Sequence, residues 1–143
     1  MARTKVYLAV HLFLIKENQI LLLKRFNTGY EDGKYSVCAG HVEADENYID
    51  AMIREAKEEI GIDIQKENLK AIQIMHRKSE SERIDYFFEC MTFDGIITNC
   101  EEDKCDELKW VDIHHLPTNM IPYVSYAIQA YLNQKIFTQF GWD

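Results

Sequence analysis

Glu55, Glu58 and Glu59 stand at the spacing i, i+3 and i+4, with Arg54 directly before the first of them. An α-helix turns by about 100° per residue, so these three positions fall on one side of it. The stretch is helical by pattern. Ile49, Met52, Ile53, Ala56 and Ile60 recur as a single apolar stripe, which predicts a helix of roughly four turns beginning near Asp45. The carboxylates are centred well away from that stripe and therefore share one patch outside the core.

Like charges at these spacings repel by a few tenths of a kcal/mol per pair on an exposed helix. Arg54, four residues before Glu58, can relieve one of them, whereas Glu55 and Glu59 have no local partner. A hard divalent cation would offset the remainder, because Mg²⁺ takes oxygen ligands and keeps other positions for water and substrate phosphates. Taken alone, such a run is more often a solvated acidic face.

The wider spacing decides against that bland account. From Gly40 the chain passes five residues to Glu46 and seven more to Arg54-Glu55, then Ala56, Lys57, Glu58-Glu59, one residue, Gly61 and the apolar Ile62. This stretch resembles the signature of the Nudix hydrolases at every fixed position. The resemblance implies a loop-helix-loop that binds Mg²⁺ or Mn²⁺ and cleaves a nucleoside diphosphate linked to another moiety. It makes Glu55, Glu58 and Glu59 the expected metal ligands, joined by the backbone carbonyl of Ala39. Arg54 is expected to orient Glu58, Gly40 to form the tight turn before the helix, and Glu55 to act as base or ligand. Cys38 and Ala39 stand where many relatives have Pro and Gly, and both are small enough to keep the turn. Relatives add a base or metal carboxylate from a loop outside the signature, a place for which Glu101, Glu102 and Glu107 compete here.

The likeness continues upstream, where Arg25, Asn27-Thr28-Gly29-Tyr30 and Asp32-Gly33 precede the signature. Arg25 is a candidate for substrate phosphate, since a guanidinium offers a planar fork of donors, with a surface ion pair as the alternative. His41 is a second candidate phosphate contact, against a solvent-facing loop histidine. Asn119 follows Leu116-Pro117, where some nucleotide-sanitising relatives place an asparagine that reads the base; capping the last helix is its alternative. Phe26, Tyr30 and Tyr86 either stack on a base or belong to the core.

The elements that must position these residues fit one domain spanning residues 1–143. At 47% hydrophobic residues, a chain of this length buries one sizeable core, and no linker-like composition divides it. Lys5 to Ile15 and Ile20 to Lys24 read as strands joined by the polar turn Lys16 to Gln19. Tyr35 to Cys38 is a short strand leading into the signature, and Gly61 is a helix C-cap. Leu69 to Lys78 and Arg83 to Phe93 form an antiparallel pair, Glu107 to Val111 reads as the last strand, and Tyr123 to Leu132 as a second helix. The tail from Phe137 carries no pattern long enough to assign. A mixed sheet between helices results, matching the α/β/α Nudix fold that the resemblance implies.

A net charge of −8 with no basic patch argues against a nucleic-acid polymer as partner, leaving a small nucleotide. No segment is apolar enough for a membrane span, and no targeting signal precedes the first strand. The four cysteines show no CxxC pair and read as reduced thiols, so a cytoplasmic protein is expected; zinc on Cys100, Cys105, His114 and His115 is disfavoured by the spacing. Oligomeric state is open, a homodimer included. The resemblance implies hydrolysis of a nucleoside triphosphate, an oxidised one among the candidates, to monophosphate and pyrophosphate. A nucleotide-sensing or protein-binding module without turnover is the alternative, one that loss of the carboxylates would favour.

Overall fold

A computed structural model describes residues 1–143, and its frame is a mixed sheet with one helix on each face. β1 (Tyr7–Lys16) is the central strand. It pairs in parallel with β6 (Glu82–Cys90) and antiparallel with β4 (Cys38–His41). β5 (Lys70–Lys78) is antiparallel to β6, and β8 (Phe137–Phe140) adds in parallel at the edge of β5. β2 (Gln19–Arg25) leaves β1 after two residue pairs and builds its own ladder with β3 (Tyr35–Ser36) and β7 (Cys105–Asp112). The turn between β1 and β2 falls where the sequence indicates: Lys16 pairs with Gln19, and Glu17 and Asn18 between them both take positive φ, the geometry of a two-residue hairpin loop.

Strand β1 is apolar throughout because both of its faces are covered. Val10, Leu12 and Leu14 pack under α1 (Tyr48–Ile60), and Phe13 and Ile15 under α2 (Pro122–Leu132). Strand β6 divides likewise, with Phe88 and Cys90 on the α1 side and Phe87 on the α2 side. Met52, Ala56 and Ile60 of the helical stripe are fully buried, while Ile49 and Ile53 pack at its margin. Burying a Met or Ile side chain is worth roughly 1.5–3 kcal/mol, enough to overcome the few tenths lost where α1 gathers like charges.

Helix α1 begins at Tyr48, three residues later than the pattern indicates. Asp45 takes positive φ in the connecting loop, and Asn47 caps the helix by accepting from the Asp50 N–H. Gly61 closes it at φ 73°, as a C-cap glycine should. β7 is not the last strand. The tail forms β8, which no four-residue alternation could announce, because its partner β5 lies far away in sequence. No helix is long and apolar enough to cross a membrane.

Candidate active site

The signature is held between an edge strand and a helix. Ala39 lies opposite His11 of β1 but donates its N–H to Glu59 Oε1 at 3.0 Å. In an antiparallel ladder a residue either exchanges both hydrogen bonds with its opposite number or neither, so the Ala39 carbonyl also faces outward, on the Glu59 side. Gly40 is part of β4 and not of a turn. A Cβ at this position would collide with the Glu55 carboxyl, so glycine is required for clearance, a different reason from the turn expected of it.

Arg54 is the hub of the patch. Its Nε and Nη2 grip the Glu46 carboxylate at 2.7 and 2.9 Å, and Nη2 also donates to the His41 carbonyl at 3.1 Å. Nη1 reaches Glu55 at 2.8 Å and Glu58 at 3.2 Å. Arg54 therefore braces Glu55 more closely than Glu58, and the hydrogen bonds to Glu46 are the first cause of its raised pKa. Glu46 is the residue whose role sequence reasoning missed, although its fixed place in the signature marked it. The same bonds hold its carboxyl below the ordinary range.

Burial pushes Glu59 up to about 8, against the opposing hydrogen bonds from Cys38 and Ala39, with Glu55 and Glu101 adding repulsion. Burial likewise raises Glu55, despite Arg54. Glu58 is turned outward, its side chain 53% exposed. As the side chains stand, no three of them converge closely enough to hold an ion. The donor chemistry nonetheless fits a hard divalent cation: every candidate ligand is an oxygen, and two part-buried carboxylates, Glu55 and Glu59, are held above their ordinary range where only Arg54 supplies positive charge.

Of the competing carboxylates outside the signature, Glu101 is the one whose charge acts on both Glu55 and Glu59. Its neighbour Cys100 donates its N–H to the Glu59 carbonyl at 3.0 Å, which brings this loop against the end of α1. Glu107 instead accepts from the Tyr35 hydroxyl, and Glu102 is exposed.

His41 is exposed, and its Nε2 lies 3.2 Å from Arg83 Nη1. Arg25 forms no ion pair; it donates to the Tyr30 carbonyl at 2.8 Å and to Thr28 Oγ1 at 3.0 Å, pinning the loop after β2. Asn119 does not cap α2, whose N-cap is Ile121; its side chain donates to the Gly33 carbonyl at 3.0 Å. Phe26 and Tyr30 are exposed and so lie outside the core, whereas Tyr86 is half-buried and stacks on Tyr48. Cys100 and Cys105 join no metal-holding group with His114 and His115. A groove of about 720 Å³ between the β7–α2 connection and the outer side of α2 touches none of the signature residues.

A family model described as the NUDIX domain matches residues 6–131, spanning every element that shapes this site. The chain belongs to the NUDIX family. It is 30% identical over 108 residues to the NAD-capped RNA hydrolase NudC of Pseudomonas fluorescens (strain Pf0-1), an alignment covering 73% of this chain and 36% of that protein. The chain thus spans about a third of that relative's length. Among solved structures it resembles the MutT NUDIX hydrolase of Burkholderia pseudomallei, with a TM-score of 0.79, 19% identity, and coverage of 87% of this chain and 97% of that one. The MutT protein of Methanosarcina mazei Go1 superposes equally well, at 0.79 with 17% identity, over 94% and 98% of the two chains. At such identities the likeness concerns the fold, and the fold is that of a Nudix hydrolase.

Proposed function

We propose that this NUDIX chain is a metal-dependent pyrophosphohydrolase acting on a nucleoside diphosphate-linked compound, with a nucleoside triphosphate as the substrate the site suits best. The observation that carries this is the pair of part-buried carboxylates, Glu55 and Glu59, held above their ordinary range beside a glycine whose missing Cβ makes room for one of them. Glu55, Glu58 and Glu59 are assigned to Mg²⁺ or Mn²⁺, with the outward-facing Ala39 carbonyl as a further ligand and Glu101 as the additional carboxylate. An ion held by these residues would supply positive charge against the charge that develops on the transferred phosphoryl group.

Glu55 is positioned by Arg54 and has the raised proton affinity that suits a base working near neutral pH. It would hold the attacking water and take its proton, and Arg54 would keep Glu55 and Glu58 in place. Arg25, His41 and Asn119 are assigned to substrate. Three of the four thiols are buried and unpaired, which supports a reducing, cytoplasmic setting.

Hydrolysis of a nucleotide panel in ¹⁸O-labelled water with Mg²⁺ tests the assignment. Label is expected on a phosphate product, with the nucleoside intact and a triphosphate giving monophosphate and pyrophosphate. Label on sugar or base would overturn the mechanism, and tight metal-dependent binding without turnover would make the protein a nucleotide sensor instead.

A further inference from the structure

A sheet edge is a template on which another chain can pair, and folded proteins blunt it with charge, Pro, a bulge or a covering element. Two edges of this sheet are guarded. β4 gives its Ala39 N–H to Glu59, and β7 carries Asp106, Glu107, Lys109 and Asp112 within its eight residues. β8, which ends the sheet beyond β5, reads Phe-Thr-Gln-Phe, with no charge, Pro or bulge. Its outer backbone is open. The Ile74 N–H donates to the Ile136 carbonyl at 2.8 Å, which sets the phase of the parallel ladder: Thr138 and Phe140 bond to β5, whereas Phe137 and Gln139 turn their N–H and carbonyl groups to the free side.

Apolar side chains flank this edge on both faces of the sheet. On the α2 face the Thr138 hydroxyl donates to Gln73 at 2.7 Å and Phe140 packs on Tyr126 at 5.5 Å, and these two rings line the groove of about 720 Å³ that the signature residues do not touch. Alternation puts Phe137 on the other face, where it is 78% exposed, and the preceding Ile136 is 61% exposed. The surroundings are almost free of charge. From Ile113 to Gly141 the one Asp, Glu, Lys or Arg is Lys135, although such residues make up 28% of the chain.

Charge and symmetry together name the occupant. Two chains of net charge −8 repel each other across most of their surfaces, and this acid-free edge is where they can approach at least cost. We propose that β8 is a dimerisation edge, on which two copies of this chain pair their β8 strands antiparallel about a two-fold axis. Outward groups must meet outward groups, so the register that uses all of them sets Phe137 of each copy opposite Gln139 of the other, with Thr138 opposite Thr138 on the axis. The two sheets become one. The same axis, perpendicular to the sheet, brings both α2 helices together on one face, so that Tyr126 and Phe140 of each copy close over the other's groove.

Sedimentation velocity at tens of micromolar should show the parent at twice the mass of the chain. Phe137→Glu should raise the dimer dissociation constant by about tenfold or more, because it drives a charge into the apolar seam. Folding of the single chain should not suffer, since this side chain is 78% exposed there. Adding Gln139→Lys to Phe137→Glu sets opposite charges directly across from each other in this register, and the double variant should recover the dimer. Hydrogen exchange reads the edge itself: the Phe137 and Gln139 amides should be protected in the parent and exchange freely in Phe137→Glu. A monomeric parent, a dimer that Phe137→Glu leaves intact, a double variant that stays monomeric, or freely exchanging edge amides in a dimeric parent would overturn the proposal.

Discussion

His11 should make this protein acid-sensitive between pH 6.5 and about 4. The imidazole lies in the core, 2% exposed, with Nε2 3.0 Å from the Tyr123 hydroxyl and its ring stacked on Phe87 at 4.6 Å. Burial lowers its pKa to about 4; Asp85 and a backbone hydrogen bond with Tyr86 oppose this, and Arg77 and His41 reinforce it. With an unfolded value near 6.5, the unfolded chain takes up a proton as pH falls from 6.5 toward 4 while the folded chain does not, so stability drops through that window. Between pH 7 and pH 4.5 the loss is about 2 kcal/mol, since each tenfold difference in proton affinity between the folded and unfolded chains is worth about 1.4 kcal/mol. For a chain of this size that is roughly 4–8 °C in Tm. Glu59 works in the opposite direction, because its raised pKa makes the metal-free folded state gain stability as pH falls from about 8 toward 4.5. The parent alone therefore shows a flattened profile, and the informative quantity is the difference between parent and His11→Gln in urea unfolding at both pH values. His11→Gln should lose about 2 kcal/mol less than the parent over this interval. Parallel profiles would refute the claim that a neutral imidazole is locked into the core.

Two further outcomes follow from the patch. Gly40→Ala should cost under about 1 kcal/mol of stability, because the added Cβ meets the movable end of Glu55 and no backbone, yet it should reduce turnover by about 100-fold by displacing that carboxyl; denaturant melts beside steady-state rates would reveal equal losses if the glycine serves only the fold. Mg²⁺ or Mn²⁺ should raise the Tm of the parent by mass action, and Glu59→Gln should raise the metal-free Tm while abolishing most of the metal response; an unchanged response in that variant would remove Glu59 from the ligand set.

What could be read from the sequence was local and periodic. The stripe from Ile49 to Ile60 and the capping Gly61 stand in the structure as the pattern requires, because helix spacing is written within a few turns. Gly40 was recognisable by position but not by cause, since the reason for a glycine is a carboxyl fifteen residues away that no local rule brings near. Asn119 and Arg25 were reasonable anchors for a cap and an ion pair, and tertiary contacts with Gly33 and Tyr30 claimed them instead. His11, Arg77 and Asp85 sit in strands whose apolar pattern hides them, and only the parallel register of β1 and β6 and the seating of α2 assemble them. β8 was illegible for the same reason, as its hydrogen bonds belong to β5.

The loop from Asp94 to Cys105 is fastened to the end of α1 along its length: Asp94 and Asp63 exchange backbone hydrogen bonds, Thr98 and Cys100 donate to the carbonyls of Ile60 and Glu59, and Gly95 leaves room for the Gly61 carbonyl, 3.3 Å from where a Cβ would stand. These are two of the carbonyls that a helix end leaves without partners. Transplanting the signature into another scaffold would therefore fail if the graft ended at Ile62. The transferable unit is discontinuous, and a donor segment lacking residues 94–105 would carry its glutamates on a fraying last turn. A surface connection usually absorbs insertions and length changes freely; this one is bound to the register of the helix it closes, and a single residue added between Gly95 and Cys100 would shift Glu101 relative to the carboxylates it faces.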